Sequence, residues 1–247
     1  MKILALDTAT EACSAALLCG DSVYARHEIA PRRHAELILP MVDGVLTEAG
    51  LGLNDLDAVA FGRGPGAFTG VRIAAGVTQG LALGAGLPVI PLSSLATLAQ
   101  GAADKSSGSG FGRPQDAPRV GATDGTHHQP AALLPAIDAR MGEIYWGVYD
   151  VAQDGLVRSA SAEQVTSPDA VQVPADKRIF GVGSGWGTYR ARLESILDAQ
   201  IIGIDPERYP LAKDMLPLAA GEYSAERYVS AEQALPVYLR DDVVRQG

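Results

Sequence analysis

The sequence is poor in lysine and in aromatic residues. The first shortage argues against direct binding of nucleic acid, and the second argues against a core built from large aromatic side chains. It has 247 residues with four lysines, and its formal net charge is −9. A chain that grips nucleic acid unaided usually carries a basic patch that neutralises phosphates, so direct RNA binding by this chain is not expected. A basic partner could still bring RNA to it. Aromatic residues make up only 6%, so small and aliphatic residues must fill the core and bring backbones close together.

Cysteine and long apolar runs are scarce as well. Cys13 and Cys19 are the only cysteines, and both fall on one face of a single predicted strand, roughly 20 Å apart. That separation exceeds the ~7 Å between Cα atoms that a disulfide tolerates. No stretch approaches the ~20 apolar residues of a membrane span. Asp7 and Glu11 interrupt the apolar N-terminus, which argues against a signal peptide. We therefore expect a soluble, cytoplasmic protein that does not contact a membrane.

Hydrolytic and metal motifs are missing too. No H-E-x-x-H or G-x-S-x-G pattern occurs, so neither a zinc peptidase nor a hydrolase with a nucleophile elbow is indicated. The four histidines are His27, His34, His127 and His128. Their spacing does not predict a metal site.

What is present alternates between strands and helices. Three strands are predicted first, then a helix ending at Gly50, in which Pro40 favours a kink or a later start. A strand, a glycine-rich loop and a second helix follow, and then a short strand and a third helix that begins at Ser93 or Ser94. The predicted strands cover 3–6, 13–18, 23–29, 58–61 and 89–91, and the predicted helices cover 34–49, 69–85 and 94–100.

The second half repeats the first. Residues 101–130 are rich in Gly, Ser, Pro and Asp without periodicity, which predicts a flexible insertion. An apolar run then ends in Asp138, as an earlier one ends in Asp7, and a strand is predicted at 144–151. Phe61 and Phe180 each begin an F-G-x-G-x-G pattern between a strand and a helix. The repeat predicts a duplicated α/β unit.

The first of these loops, FGRGPGAFTGVR at 61–72, invites comparison with phosphate-binding loops. It lacks the lysine of a Walker A motif. It also lacks the acidic residue that a dinucleotide site needs about 20 positions later, because no Asp or Glu occurs from Ala58 to Ala103. We predict instead that its glycines allow a sharp turn and a close approach of the next helix. Gly76, Gly80 and Gly84, four residues apart in that helix, indicate that something packs very close there.

The turn after the first strand is the other chemical candidate. A strand ending in Asp7, with hydroxyls at Thr8 and Thr10, can hold hydrated Mg²⁺ and a nucleotide phosphate. The alternative is that Asp7 and Thr8 cap the turn by bonding its backbone amides. The corresponding D-A-R-M-G at Asp138 has an arginine and a methionine where a phosphate loop would need glycines and hydroxyls.

Several segments together resemble one known family, TsaB (also called YeaZ). They are ILALDTAT, RRHAELILP, GRGPGAFTGVRIA, PLSSLATLA, AIDARMGEIYWGVYD and the C-terminal PVYLRDD. The resemblance spans nearly the whole chain apart from residues 101–130, a segment that is longer than the family usually has.

The resemblance implies an α/β fold of the duplicated actin-like, sugar-kinase-like ATPase type (the ASKHA fold), with two subdomains that each contain a mixed sheet and helices. We place an N-terminal subdomain at 1–100, the insertion at 101–130 and a C-terminal subdomain at 131–210. Residues 211–247 could return to the first subdomain.

The implied function is that of a non-catalytic scaffold and activator. Such a subunit is needed for threonylcarbamoyl modification of the adenosine beside the anticodon of tRNAs that read codons starting with A. It acts by binding TsaD, which carries the metal and performs the transfer. TsaE is an ATPase of the complex, and TsaC makes the donor. No catalytic residue or metal ligand is expected in this chain, tRNA is reached only through the complex, and a homodimer can form when the chain is alone.

The expected site residues follow from the same resemblance. Asp7, Thr8 and Thr10 would be a vestigial nucleotide and Mg²⁺ site, with at most weak ATP binding at the complex interface and no cofactor required. The partner interface is placed on the two helices near 34–49 and 69–85, at His34, Leu37, Met41, Val45, Arg72, Gly76 and Gly80. The alternatives are an active ATP-dependent phosphotransferase of the same fold and a glycoprotease-like metallopeptidase.

Overall fold

The computed structural model describes residues 1–103 and 132–240 and divides the chain into two compact units. The first contains Met1–Thr97 and the described part of Tyr209–Gly247, and the second contains the described part of Leu98–Arg208. From the sequence, the first subdomain was expected to end at residue 100 and the second to cover residues 131–210. The predicted insertion at 101–130 lies outside the described residues except for its first three positions, which are helical.

The described residues form twelve strands and five α-helices. The strands are β1 (Lys2–Asp7), β2 (Ala12–Cys19), β3 (Ser22–Ile29), β4 (Ala58–Gly64), β5 (Val89–Ser93), β6 (Ala132–Arg140), β7 (Glu143–Trp146), β8 (Tyr149–Val151), β9 (Val157–Ser159), β10 (Gln164–Thr166), β11 (Ile179–Val182) and β12 (Ile201–Asp205). The helices are α1 (His34–Ala49), α2 (Phe68–Ala85), α3 (Ser94–Ala103), α4 (Ser184–Leu197) and α5 (Ala212–Ser224).

The first unit is built on a five-stranded mixed sheet in the order β3-β2-β1-β4-β5. Its central strands β1 and β4 are parallel, while β2 and β3 form an antiparallel meander. Leu4 and Leu6 face a core that α1 and α2 complete. On the opposite face the Ser14 hydroxyl accepts the Ala212 N–H at 2.9 Å, which fixes the start of α5. Strands covered on both faces read as continuous apolar runs, as β1 and β2 do.

The second unit repeats this arrangement. Its sheet contains the path β10-β7-β6-β11-β12, with β8 and β9 attached beside β6. β6 is parallel to β11 and antiparallel to β7, just as β1 is parallel to β4 and antiparallel to β2. α4 connects β11 to β12 as α2 connects β4 to β5. The predicted α/β fold with a duplicated unit is therefore confirmed.

Most predicted elements are present, with three differences. α1 begins at His34 and runs through Pro40 to Gly50, whose left-handed φ of 67° ends the helix as predicted. The single strand predicted at 144–151 is two strands, because the chain leaves the ladder at Val148, whose N–H donates to the Ser161 hydroxyl at 2.9 Å. β10, β12 and α5 were not predicted.

A C-terminal strap, residues 225–240, runs along α2 in the first unit. It starts beside β5, where Val229 and Val89 exchange two backbone hydrogen bonds of 2.9 and 2.8 Å. Further along, the Gln79 side chain donates to the Ala234 carbonyl at 3.1 Å. Finally the Val237 N–H donates to the Arg63 carbonyl at 2.8 Å. The strap therefore follows α2 from its C-terminal end to its N-terminal end.

Candidate functional site

The glycine-rich loop between β4 and α2 is packed against the turn that follows β1. The Ala67 N–H donates to the Ala9 carbonyl at 2.8 Å. A Cβ at Gly66 would overlap that carbonyl, and one at Gly70 would overlap the Thr8 carbonyl. The start of α2 is therefore occupied by the chain's own backbone. The prediction that these glycines serve close approach is confirmed.

The Asp7 turn is held together by its own hydrogen bonds. Asp7 Oδ1 accepts the Ala9 N–H at 2.8 Å, and the Ser94 hydroxyl lies 3.5 Å from Asp7 Oδ2. The Thr8 hydroxyl donates to the Gly70 carbonyl at 2.7 Å, and Thr10 Oγ1 accepts the Ala12 N–H at 3.4 Å. Asp7 and Thr10 therefore accept backbone amides of the turn, whereas Thr8, for which the alternative also expected an amide of the turn, donates to a carbonyl of α2.

The electrostatics of Asp7 also disfavour a cation site. The carboxyl is completely buried, and it lies so close to Gly62 that any side chain there would overlap it. Desolvation raises the pKa of Asp7 to about 7 against the opposing hydrogen bonds from Ala9 and Ser94. A magnesium ligand needs an ionised oxygen with room for water around the ion. The residues of this turn do not fit Mg²⁺.

The second Asp turn is closed in a different way. Asp138 Oδ1 accepts the Arg140 N–H at 2.8 Å and lies 3.3 Å from the Tyr189 hydroxyl, while Oδ2 pairs with the Arg140 guanidinium at 3.0 Å. Within β11, a Cβ at Gly181 would overlap the buried Trp186 ring. The first glycine of each F-G-x-G-x-G pattern thus makes room for a side chain of its own unit.

Neither metal binding nor nucleophilic thiol chemistry is supported in the parts of the chain that the structure describes. Within them, no three His, Cys, Asp or Glu side chains come close enough to hold a metal ion. His127 and His128 lie outside those parts. Burial, followed by the charges of Asp7 and Glu28, raises the pKa of the Cys13 thiol to about 12, so that thiol is not a nucleophile near neutral pH. None of the helices in residues 1–103 and 132–240 is long and apolar enough to cross a membrane.

The interface predicted on α1 was assigned to the wrong side of the helix. Met41 and Val45 belong to the core of the first unit, with 8% and 0% of their surface exposed, and His34 is 8% exposed. Leu37 is half-buried against the same core. The helical spacing that suggested a partner surface is the spacing of residues that face the sheet. Leu39, at 51% exposure, lies on the outer side.

The interface residues predicted on α2 are exposed. The structure defines an α2 face that consists of Phe68, Arg72, Gly76, Gly80 and Leu83. A Cβ added at Gly76, Gly80 or Gly84 would have no heavy atom of the described chain within 4 Å, apart from the helix's own backbone. The close neighbour expected at these glycines is therefore not supplied by the described parts of this chain.

Both ends of the α2 face are bordered by the C-terminal strap. At the N-terminal end, the Phe68 and Tyr238 rings lie 5.7 Å apart. At the other end, a groove of about 590 Å³ lies between the last turn of α2 and the strap, and Leu83 and Tyr228 are part of its lining. Phe68, Leu83 and Tyr238 were not predicted as site residues. The four-residue spacing of Phe68, Arg72 and the glycines was the signal that could have identified Phe68.

Comparison with known proteins gives full-length relatives. The TsaB protein of Escherichia coli (strain K12), called a tRNA threonylcarbamoyladenosine biosynthesis protein, is 43% identical over 98% of this chain and 96% of its own length. The TsaB protein of Haemophilus influenzae is 41% identical over 98% and 95%. The chain belongs to the TsaB family. The solved structure of YeaZ from Pseudomonas aeruginosa has a TM-score of 0.81 and 45% identity, and the match covers 96% of this chain and 99% of that one.

A second family also matches part of the chain. The model described as TsaD, tRNA N6-adenosine threonylcarbamoyltransferase, matches residues 21–112. That segment contains α1, the glycine-rich loop and α2. This chain is therefore similar to the transferase family over the segment that carries the α2 face.

Proposed function

We propose that this chain acts in the synthesis of threonylcarbamoyladenosine in tRNA as a subunit without catalytic activity of its own. The names of its full-length relatives support the pathway. The capped Asp7 and Asp138 turns support the absence of catalysis, because their carboxylates are engaged by groups of the same unit. The modified base is the adenosine beside the anticodon of tRNAs that read codons starting with A.

The α2 face is the observation that carries the proposal. A glycine in the middle of a helix costs about 1 kcal/mol relative to alanine, and Gly76 and Gly80 gain no packing from the described chain in return. Small residues on a helix allow a second backbone to approach closely. We propose that a helix of TsaD packs there and that TsaD performs the transfer.

The other partners follow from the same role. TsaE joins through the complex, tRNA is bound by the complex rather than by this chain, and a second copy can occupy the α2 face when TsaD is absent. The chain requires no cofactor, and ATP with Mg²⁺ binds at most weakly at the complex interface. A role in tRNA modification supports a cytoplasmic location.

Co-purification with the TsaD of the same organism tests the proposal. We expect the parental chain to bind TsaD and to be required in a modification assay with TsaD, TsaE and TsaC. The double variant Gly76→Leu/Gly80→Leu should lose both properties while its circular dichroism stays unchanged. Ala191→Leu, at an exposed position of α4 in the other unit, is the matched control. Full binding and activity of the double variant would contradict the proposal, as would modification at an undiminished rate without the chain.

A further inference from the structure

Arg72 is stacked against two aromatic rings at the N-terminal end of the α2 face. Its guanidinium carbon lies 3.3 Å from the centre of the Phe68 ring and 5.2 Å from that of Tyr238. All three residues are solvent-exposed, Phe68 at 54% and Tyr238 at 43%. The ring of Tyr238 is brought there by the strap, which the Val237–Arg63 hydrogen bond anchors just before it. Arg72 is thus held in place by residues from two separate parts of the chain.

The hydrogen-bonding capacity of Arg72 is unused in the described chain. Its contacts with Phe68 and Tyr238 are through the rings, and neither a hydrogen bond nor an ion pair of Arg72 occurs within residues 1–103 and 132–240. Stacking engages the face of a guanidinium group and leaves the N–H donors at its edge for another partner. A guanidinium group whose position is fixed in this way loses less entropy when it binds a planar anion in a bidentate manner.

Arg72 is also the only charged residue in α2. From Ala58 to Ala103 the sequence contains no Asp or Glu, so the anion that would pair with Arg72 is absent from its own helix and from the flanking segments. The rest of the α2 face is glycine and apolar side chain. The residues of the α2 face itself therefore include one cation and no anion.

We infer that the Arg72 stack binds a carboxylate side chain of the protein subunit that docks on the α2 face, and that this pair fixes the register of docking. The inference rests on the proposed function, in which that subunit is TsaD. An arginine stacked on aromatic rings has the residue types in which interface hot spots are enriched. If α2 of a second copy packed on α2, Arg72 would meet uncharged residues or another Arg72.

A phosphate of tRNA could satisfy the same guanidinium, but the surroundings favour a carboxylate. Binding to a nucleic-acid backbone draws on several cations at once. Between Ala58 and Ala103 only Arg63 and Arg72 are basic, and the whole chain has a net charge of −9. A lone cation among glycines fits a single side chain on a protein helix better than a row of phosphates.

Affinity measurements with full-length TsaD of the same organism test the inference. Arg72→Ala should weaken binding about 30-fold, the level of a hot-spot residue. Arg72→Lys keeps the charge but loses the planar fork, so it should weaken binding at least about fivefold. Arg190→Ala removes another exposed arginine, from α4 of the other unit, and should leave the affinity unchanged. The loss caused by Arg72→Ala should shrink in high salt, because the removed pair is ionic.

A charge exchange identifies the partner group. Arg72→Glu should abolish binding, and replacing the correct TsaD carboxylate by lysine should restore it. The inference is overturned if Arg72→Ala binds within about twofold of the parental chain while Gly76→Leu/Gly80→Leu fails to bind, an outcome that leaves the proposed function intact. It is also overturned if Arg72→Ala weakens tRNA binding by the complex but not TsaD binding. If the parental chain does not bind TsaD at all, the proposed function fails as well.

Discussion

Single buried polar groups in the first unit make contributions to stability whose signs can be predicted. Asp7 is the clearest, because its carboxyl is completely buried and its pKa is raised from 3.8 to about 7. Between these two pH values the folded state holds a proton that the unfolded state has released. The free energy of unfolding therefore falls as pH rises from about 4 to about 7, by up to about 1.4 kcal/mol per pH unit for one group.

Asp7→Asn should remove this dependence. The amide keeps an oxygen for the Ala9 N–H and cannot ionise, so we expect the variant to be more stable than the parental chain at pH 8 by a few kcal/mol, at about 1.4 kcal/mol per unit of pKa shift. The difference should shrink toward pH 5. Urea unfolding of both proteins at several pH values measures it. Parallel stability curves for the two proteins would show that folding does not raise the pKa of Asp7.

Thr78 should destabilise the fold through its hydroxyl. The residue is completely buried in α2, and its Oγ1 has no hydrogen-bond partner in the described parts of the chain. Thr78→Val keeps the shape and removes an unsatisfied polar atom, so we expect it to stabilise the protein by about 1 kcal/mol. Thr97 is an equally buried control whose hydroxyl donates to the Ser93 carbonyl at 2.9 Å. Urea midpoints should rise for Thr78→Val and fall for Thr97→Val, and the opposite order would refute this reading.

At the scale of elements, the apolar periodicity of α1 was interpreted as a partner surface, but it marks the side of the helix that faces the core. Met41 packs in the core, whereas Leu39, two positions earlier, is about half exposed. Met41→Asp should therefore unfold the chain or cost about 3 kcal/mol or more, because it buries an unpaired charge. Leu39→Asp should change stability by no more than about 0.5 kcal/mol. Thermal melting compares the two, and a folded, stable Met41→Asp protein would restore the original assignment.

The glycines of α2 fall into two groups that should respond oppositely to alanine. Gly76 and Gly80 are exposed with open space around them, so Gly76→Ala and Gly80→Ala should each stabilise the isolated chain by about 0.5–1 kcal/mol. Gly70 lies in the same helix, but its Cβ would overlap the Thr8 carbonyl, so Gly70→Ala should destabilise. Chemical denaturation of the three single variants measures these changes in stability. Stabilisation by Gly70→Ala would mean that the β1–β2 turn moves at little energetic cost to make room for the added methyl group.

At the scale of the whole molecule, the duplicated α/β fold could be predicted because both halves repeat the same sequence pattern. Phe61 and Phe180 lie in corresponding strands, β4 and β11, each parallel to the central strand of its sheet. β12 and α5 were missed. α5 contains Pro217, which obscures a helical pattern, and β12 is a run of only five residues that is partly exposed throughout.

The candidate site was predicted only in part, for a physical reason. Apolar periodicity reports which residues avoid water, and it cannot distinguish a residue buried in its own chain from one that awaits a partner. Glycines in α2 were informative because a helix does not favour them. The ring of Tyr238 could not be foreseen beside Arg72, since 166 positions separate them in the sequence.

The two repeated units also predict how the intact chain responds to nucleotide. In each unit the central strand leads to an aspartate, Asp7 or Asp138, where a working phosphotransferase of this fold would need an accessible carboxylate. Asp7 is buried and caps its turn, and Asp138 is paired with Arg140 and lies within reach of the Tyr189 hydroxyl. The buried Asp7 carboxyl leaves no room for a hydrated Mg²⁺, and the Asp138 oxygens are engaged by groups of their own unit.

We therefore expect the full chain to give no binding heat in calorimetry with ATP and Mg²⁺ at protein concentrations that detect micromolar dissociation constants. The same titration with Asp7→Ala is the control, because it tests whether any binding by the parental chain depends on Asp7. Micromolar binding by the parental chain that disappears in Asp7→Ala would mean that the β1–β2 turn opens to hold the ion, and the chain would then have to be considered an active phosphotransferase. Equal, negligible heats for both proteins would leave the α2 face, rather than the Asp turns, as the part of the molecule through which it acts.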